Sequence, residues 1–143
     1  MIYFIDFDYT IADTSITEDC KGNYKDKQKL IPQFRIYPEA IKFIESAIAK
    51  GNEVYIVSGN VGSTIKKTIK YFNLPIDPNN VIGYRQGMPM DNLKRKIAVI
   101  KFAINYFNLE DRLSEIEYIG DEPDDETACN IIGINYYYPD WIN

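Results

Sequence analysis

The stretch MIYFIDFDYTIADTS, residues 1–15, decides how this chain is read. Its first five residues are apolar, and Ile2–Ile5 show no polar alternation, which fits a strand buried on both faces at the centre of a parallel sheet. Two carboxylates, Asp6 and Asp8, then stand where the strand should end. If the extended conformation persists, period-2 geometry turns both to one side. Two like charges at the tip of a core element repel unless one is protonated or a cation sits among them. The rest of the sequence must supply what makes this tolerable.

Outward from that strand the elements alternate. PEAIKFIESAIAKG (38–51) reads as a helix with Ile41, Ile44, Ala47 and Ile48 on one face, Pro38 in its first turn and Gly51 as its stop. EVYIV (53–57) is a second buried strand ending at Ser58, Gly59 and Asn60, and Ser63 is placed to cap the helix that follows. VIGYR (81–85) is a third strand. DNLKRKIAVIKFAINYF (91–107) is a long helix with Leu93, Ile97, Ile100, Ile104 and Phe107 inward. IEYIG (116–120) is a fourth strand, Pro123 opens a short helix to about Ile131, and INYYY (134–138) is a fifth strand. Strand–helix alternation of this kind implies an α/β domain with a parallel sheet and right-handed crossovers. Residues 11–36 lack a clear period, and loops of that length are usually functional or mobile.

The composition narrows the chemistry. At 143 residues the chain is read as one domain, 1–143, and 45% hydrophobic residues suit a globular core. No apolar run reaches the roughly 20 residues that span a bilayer, and the first residues lack the order of a signal peptide, so a cytoplasmic protein without membrane contact is expected. Cys20 and Cys129 form neither a disulfide framework nor a zinc pattern. A net charge of −5 argues against general nucleic-acid binding. The run KGNYKDKQK (21–29) is a local exception: Lys21, Lys25, Lys27 and Lys29 could reach an anionic substrate such as a nucleotide or a nucleic-acid end. There are no histidines. Ser-His-Asp and Cys-His systems, histidine zinc sites and histidine bases are therefore excluded, and acid–base work falls to carboxylates and lysines.

In α/β sheets, sites form at the carboxyl ends of the strands. Here those ends carry Asp6, Asp8 and Thr10, then Ser58, Gly59 and Asn60, then Asp121 with Asp124 and Asp125 just beyond. An oxygen-only cluster dominated by carboxylates suits Mg²⁺ rather than zinc or copper. Without histidine, one aspartate of such a site can attack a phosphorus while the other protonates the leaving oxygen. The phosphoryl group then needs a cation and hydrogen-bond donors. Ser58 and the backbone of Ser58–Asn60 offer the donors, and the LKRK sequence at 93–96 offers the cation.

These residues resemble, in order, the four motifs of the haloacid dehalogenase superfamily: DFDYT at 6–10, VYIVS ending at Ser58, a lysine placed at Lys96 with Lys94 as the alternative, and GDEPDD giving Asp121 and Asp125. The resemblance implies a Rossmann-like three-layer α/β/α sandwich with a five-stranded parallel sheet. It also implies Asp6 as nucleophile and metal ligand, and Asp8 as general acid/base with its backbone carbonyl on Mg²⁺. Thr10 would help position Asp8, Ser58 would hold a phosphoryl oxygen, Lys96 would stabilise the phosphate and Asp6, and Asp121 would bind the metal directly, with Asp125 supporting it directly or through water. Tyr9 departs from the glycine frequent in the first motif. The second aspartate favours hydrolysis of a phosphate monoester over carbon–halogen cleavage. Neither gap that houses a cap domain in the family has room for one, so a capless member is expected, with 11–36 as a flap; such relatives act on open-ended or macromolecular substrates or close their sites as homo-oligomers. The alternative is a non-catalytic phosphate- or nucleotide-binding module on the same fold. Receiver domains also pair acidic residues with Ser/Thr and Lys, but their phosphorylated aspartate follows the third strand, where this chain has none.

Overall fold

A computed structural model describes residues 1–20 and 23–142. The opening apolar run forms β1 (Ile2–Ile5) at the centre of a five-stranded parallel sheet. The other members are β4 (Glu53–Val61), β5 (Val81–Tyr84), β6 (Ile116–Ile119) and β7 (Asn135–Tyr137), in the order β5-β4-β1-β6-β7. β1 pairs on one side with β4 and on the other with β6, so that Ile5 lies level with both Ile56 and Ile119. Burial on both faces explains why β1 shows no alternation.

Two helical layers cover the sheet. Phe4, Tyr55, Val57 and Tyr118 pack against Val99, Ile100 and Ala103 of α4 (Asn92–Tyr106) and Ala128 and Cys129 of α5 (Pro123–Ile132). On the other face Ile5, Ile56 and Ile119 pack with Ile44 of α2 (Pro38–Ala49) and Ile65 and Ile69 of α3 (Gly62–Phe72). The result is an α/β/α sandwich of Rossmann-like form. Both cysteines are free, Cys129 within the core. Among the described residues, no helix is long and apolar enough to cross a membrane.

Several local expectations are corrected. β4 does not stop at Val57: it runs through Ser58, Gly59 and Asn60 to Val61, with a register irregularity against β5 between Val57 and Val61. Ser63 does not cap α3, because the helix starts two residues earlier, at Gly62, with Val61 as a cap that makes no side-chain hydrogen bond; Ser63 instead accepts from Gln28. On α2 the buried stripe is Ala40, Ile44 and Ala47, whereas Ile48 is 48% exposed. Residues 11–36 are also more ordered than their lack of period implies. They hold an antiparallel pair, β2 (Ala12–Asp13) with β3 (Arg35–Ile36), and between the two strands α1 (Tyr24–Lys29) and short 3₁₀ turns. Lys21 lies outside the described residues.

The sheet and α3 come together where side chains would not fit. A Cβ at Gly83 would lie 2.5 Å from both the Asn60 carbonyl oxygen and the Gly62 nitrogen, which are backbone atoms that cannot turn away. Gly83→Ala should therefore cost about 1–3 kcal/mol, read from the urea midpoint of unfolding. An unchanged midpoint would contradict the close approach of β5 to the β4–α3 junction.

Candidate active site

Where β1 ends, the chain folds back on itself at once. The Phe7 carbonyl accepts from Ile11 N–H at 2.9 Å and from Ala12 N–H at 3.2 Å, which makes a tight turn directly above the sheet. Tyr9 sits in this turn at φ 59°, a left-handed conformation that L-residues with a Cβ adopt at a cost of roughly 1–2 kcal/mol. Its hydroxyl donates to Glu18, which ties the turn to the flap. The turn is the reason a glycine would be at ease at position 9.

Asp6 is almost wholly buried at the strand tip, and both of its oxygens are engaged. Oδ1 accepts from Phe7 N–H at 2.8 Å and Oδ2 from the Lys96 ammonium at 2.9 Å. Lys96 reaches there from the buried side of α4 and also lies 2.9 Å from Asp125 Oδ1 and 3.8 Å from Glu122 Oε1. Burial alone would strip its proton, but Asp6, Asp125 and Glu122 outweigh burial and hold its pKa above the ordinary lysine range. Lys94 is exposed, and its backbone N–H donates to the helix cap Asp91.

Asp8 is held differently. Its Oδ1 accepts from the Thr14 hydroxyl at 2.7 Å and from Asn60 Nδ2 at 3.1 Å. Burial, and next the charge of Asp6, push its carboxyl up despite those two hydrogen bonds. Thr10, expected to help position Asp8, points elsewhere: its hydroxyl lies 3.5 Å from Asp121 Oδ1, and its carbonyl accepts from Trp141 Nε1 at 2.7 Å. Thr14 on the flap and Asn60 on the prolonged β4 do that work instead. Ser58 is buried with its hydroxyl accepting from Asn60 N–H at 3.1 Å, which shapes the end of β4.

Asp6, Asp121 and Glu122 each bring one carboxylate oxygen to within 4.8 Å of the others. Asp8 and Asp125 lie outside this group. Asp125 is fully buried; its Oδ2 accepts from Glu122 N–H at 3.1 Å in a capping box at the start of α5, while its Oδ1 has an ion-pair neighbour in Lys96 but no aligned hydrogen bond. Asp125 thus braces the loop that presents Asp121 and Glu122. Glu122 was missed from the sequence although it directly follows Asp121; Asn92 at the start of α4 orients it, donating to Oε2 at 3.0 Å. The three clustered carboxylates fit a hard divalent cation such as Mg²⁺ by donor chemistry. Their mutual repulsion is visible in Asp121, whose carboxyl is pushed up to about 6 by burial and then by Asp6.

The site opens into a cleft of about 430 Å³. Its floor carries Asp6, Asp8, Ser58, Lys96 and Glu122, and Gly59 and Asn60 extend one side. The turn contributes Tyr9, the flap Thr14 and Lys27, and Tyr84, Met90 and Arg95 also line the cleft. Of the lysine run, Lys27 alone lines this cleft among the described residues, while Lys29 pairs with Asp26 at 3.7 Å.

The raised carboxyls set a pH dependence. Asp121 near 6 and Asp125 at about 7, the latter raised by burial and then by Asp6, bind protons in the folded chain that the unfolded chain releases near its ordinary 3.8. Stability then falls as pH rises through that window. With chelator present, the melting temperature should be higher at about pH 5 than at about pH 7.5, and Asp121→Asn should flatten the difference. A melting temperature that rises with pH across this range would contradict the arrangement.

No known protein family's sequence profile matches the chain, and none of the curated proteins does. Solved structures do. A provisionally named phosphatase from Clostridium difficile superposes with a TM-score of 0.76 at 15% identity, over 99% of this chain and 86% of that one. A haloacid dehalogenase-like family hydrolase from Streptococcus pneumoniae gives 0.69 at 18% identity, over 94% and 82%. A superfamily hydrolase from Ehrlichia chaffeensis gives 0.62 at 17%, over 95% and 90%. The sheet order and the two helical layers are thus those of a known architecture: the chain has the fold of the haloacid dehalogenase-like hydrolases.

Proposed function

We propose that this protein is a Mg²⁺-dependent phosphatase of the haloacid dehalogenase type, a capless core spanning residues 1–143 that hydrolyses a phosphate monoester through an aspartyl phosphate on Asp6. The observation that carries the reading is the division of labour between two aspartates two residues apart. Asp6 is locked by Phe7 N–H and Lys96 with its carboxylate at the cleft floor, whereas Asp8 is pushed toward its protonated form. A carboxyl pushed toward its protonated form beside one fixed by an ammonium suits an acid and a nucleophile.

In the first half-reaction the Asp6 carboxylate attacks phosphorus, the ester P–O bond breaks, and the leaving oxygen takes a proton from Asp8. Asp8 Oδ1 already accepts two hydrogen bonds, from Thr14 and Asn60, so the proton is carried by Oδ2. In the second, the Asp8 carboxylate removes a proton from water as that water attacks phosphorus, which releases orthophosphate and restores Asp6. Lys96 remains charged throughout and balances the phosphoryl oxygens against Asp6. The backbone at Gly59 and Asn60 and the Ser58 hydroxyl line the cleft where those oxygens would lie. Mg²⁺ held by Asp6, Asp121 and Glu122, with the Asp8 carbonyl as a further ligand, would neutralise charge on the transferring group.

Phosphate release from phenyl phosphate should depend on Mg²⁺, stop with chelator, and fall by more than about 10³-fold in Asp6→Asn; Asp8→Asn should cost about 10²- to 10⁴-fold. Turnover that persists in Asp6→Asn contradicts the proposal. Mg²⁺-dependent phosphate binding without turnover of any ester in a panel of sugar, nucleotide and nucleic-acid phosphates would instead establish a non-catalytic binding module.

A further inference from the structure

Arg95 precedes Lys96 on α4, but the two side chains have different fates. Lys96 descends to Asp6, while Arg95 lies along the cleft wall against the prolonged end of β4. Its stem passes over Gly59 so closely that a Cβ there would sit 3.3 Å from Arg95 Cδ. Its guanidinium stacks on the Tyr84 ring, 4.7 Å from the centroid. Nε donates to the Pro89 carbonyl at 3.1 Å, and Nη2 to the Met90 carbonyl at 3.3 Å.

Every one of these partners is neutral. Among the described residues no carboxylate pairs with Arg95, and its Nη1 edge has no hydrogen-bond partner, whereas Arg112 is paired with both Glu53 and Glu115. Lys27, from the flap, lines the same cleft and is likewise without an ion pair among the described residues. In a chain of net charge −5, a cation fixed in place and left unneutralised at a cleft wall is matched to an anion from outside. Its planar fork, with N–H groups to spare, suits a carboxylate or phosphate. The scissile phosphoryl group is served by Lys96 and the end of β4, so Arg95 faces something further out.

Resting on the phosphatase reading above, we propose that the substrate's leaving group carries a second anionic group, bound by Arg95 with Lys27 lining the same cleft. Tyr84 and Met90 then border the part of the leaving group between the two anions.

Kinetics on matched pairs test this: phenyl phosphate against 3-carboxyphenyl phosphate, and propyl phosphate against propane-1,3-diol bisphosphate. The first pair reports a carboxylate and the second a phosphate as the second anion. Wild type should favour the doubly anionic member of at least one pair. Arg95→Gln should lower kcat/KM for that member about 10- to 100-fold more than for its singly charged counterpart, mainly through KM, and Arg95→Lys should restore part of the difference. Equal losses on both members, as expected if Arg95 only holds the Arg85–Asp91 loop, would overturn the proposal, as would a wild type without preference. If no ester is turned over at all, the phosphatase reading fails on its own. Calorimetry of the bisphosphate against propyl phosphate, with and without Arg95→Gln, then still decides the role of Arg95: equal affinities overturn it.

Discussion

The site depends on one buried ammonium. Lys96 stands between the tip of β1, through Asp6, and the start of α5, through Asp125, with Glu122 slightly farther away. A lysine removed from water is costly unless it is paired, and removing one partner of such a group typically costs about 3–5 kcal/mol. Here the pairing joins segments 90 residues apart in sequence. It fixes the rotation of α4 on the sheet and so decides which other residues of that helix, Asn92 and Arg95 among them, reach the cleft.

The same pairing leaves a charge surplus. Lys96 faces Asp6, Asp125 and Glu122, and Asp121 and Asp8 stand close by, so the negative groups outnumber the positive one. The chain answers in two ways. The carboxyls of Asp8, Asp121 and Asp125 are all pushed up, first by burial and next by Asp6, so each takes a proton more readily than an ordinary aspartate. A divalent cation held among Asp6, Asp121 and Glu122, as proposed above, would be the other answer and would keep Asp121 ionised. Both follow from placing carboxylates at adjacent strand tips, β1 and β6, within one low-dielectric crevice.

Much of this was legible in the chain. Short runs dominated by apolar and aromatic residues between helical stretches marked all five strands, most plainly the uninterrupted Ile2–Ile5. Like charges at a strand tip carry their own signal, and Asp6 and Asp8 stood out for that reason. The flap was not legible, because its two strands are two residues each and give no period to read. Partners set by tertiary geometry were also hidden. Thr14 and Asn60, rather than Thr10, hold Asp8, since the turn after Asp8 sends Thr10 toward Asp121. Glu122 was masked by the spacing of Asp121 and Asp125, and the capping box that turns Asp125 toward the helix is a backbone event. Arg95 looked like one of several basic residues until Tyr84 and Gly59 were seen beside it.

The central claim is that Asp6 becomes covalently phosphorylated. An acyl phosphate is reduced by borohydride to an alcohol, which turns the modified aspartate into homoserine. Acid-quenching the protein with acetyl phosphate and Mg²⁺, reducing it, and mapping the product by peptide mass spectrometry would locate the attachment. The account predicts homoserine at position 6 in wild type, and more of it in Asp8→Asn, where hydrolysis is slowed. Homoserine at another aspartate, or steady turnover with none at position 6 in either protein, would contradict it.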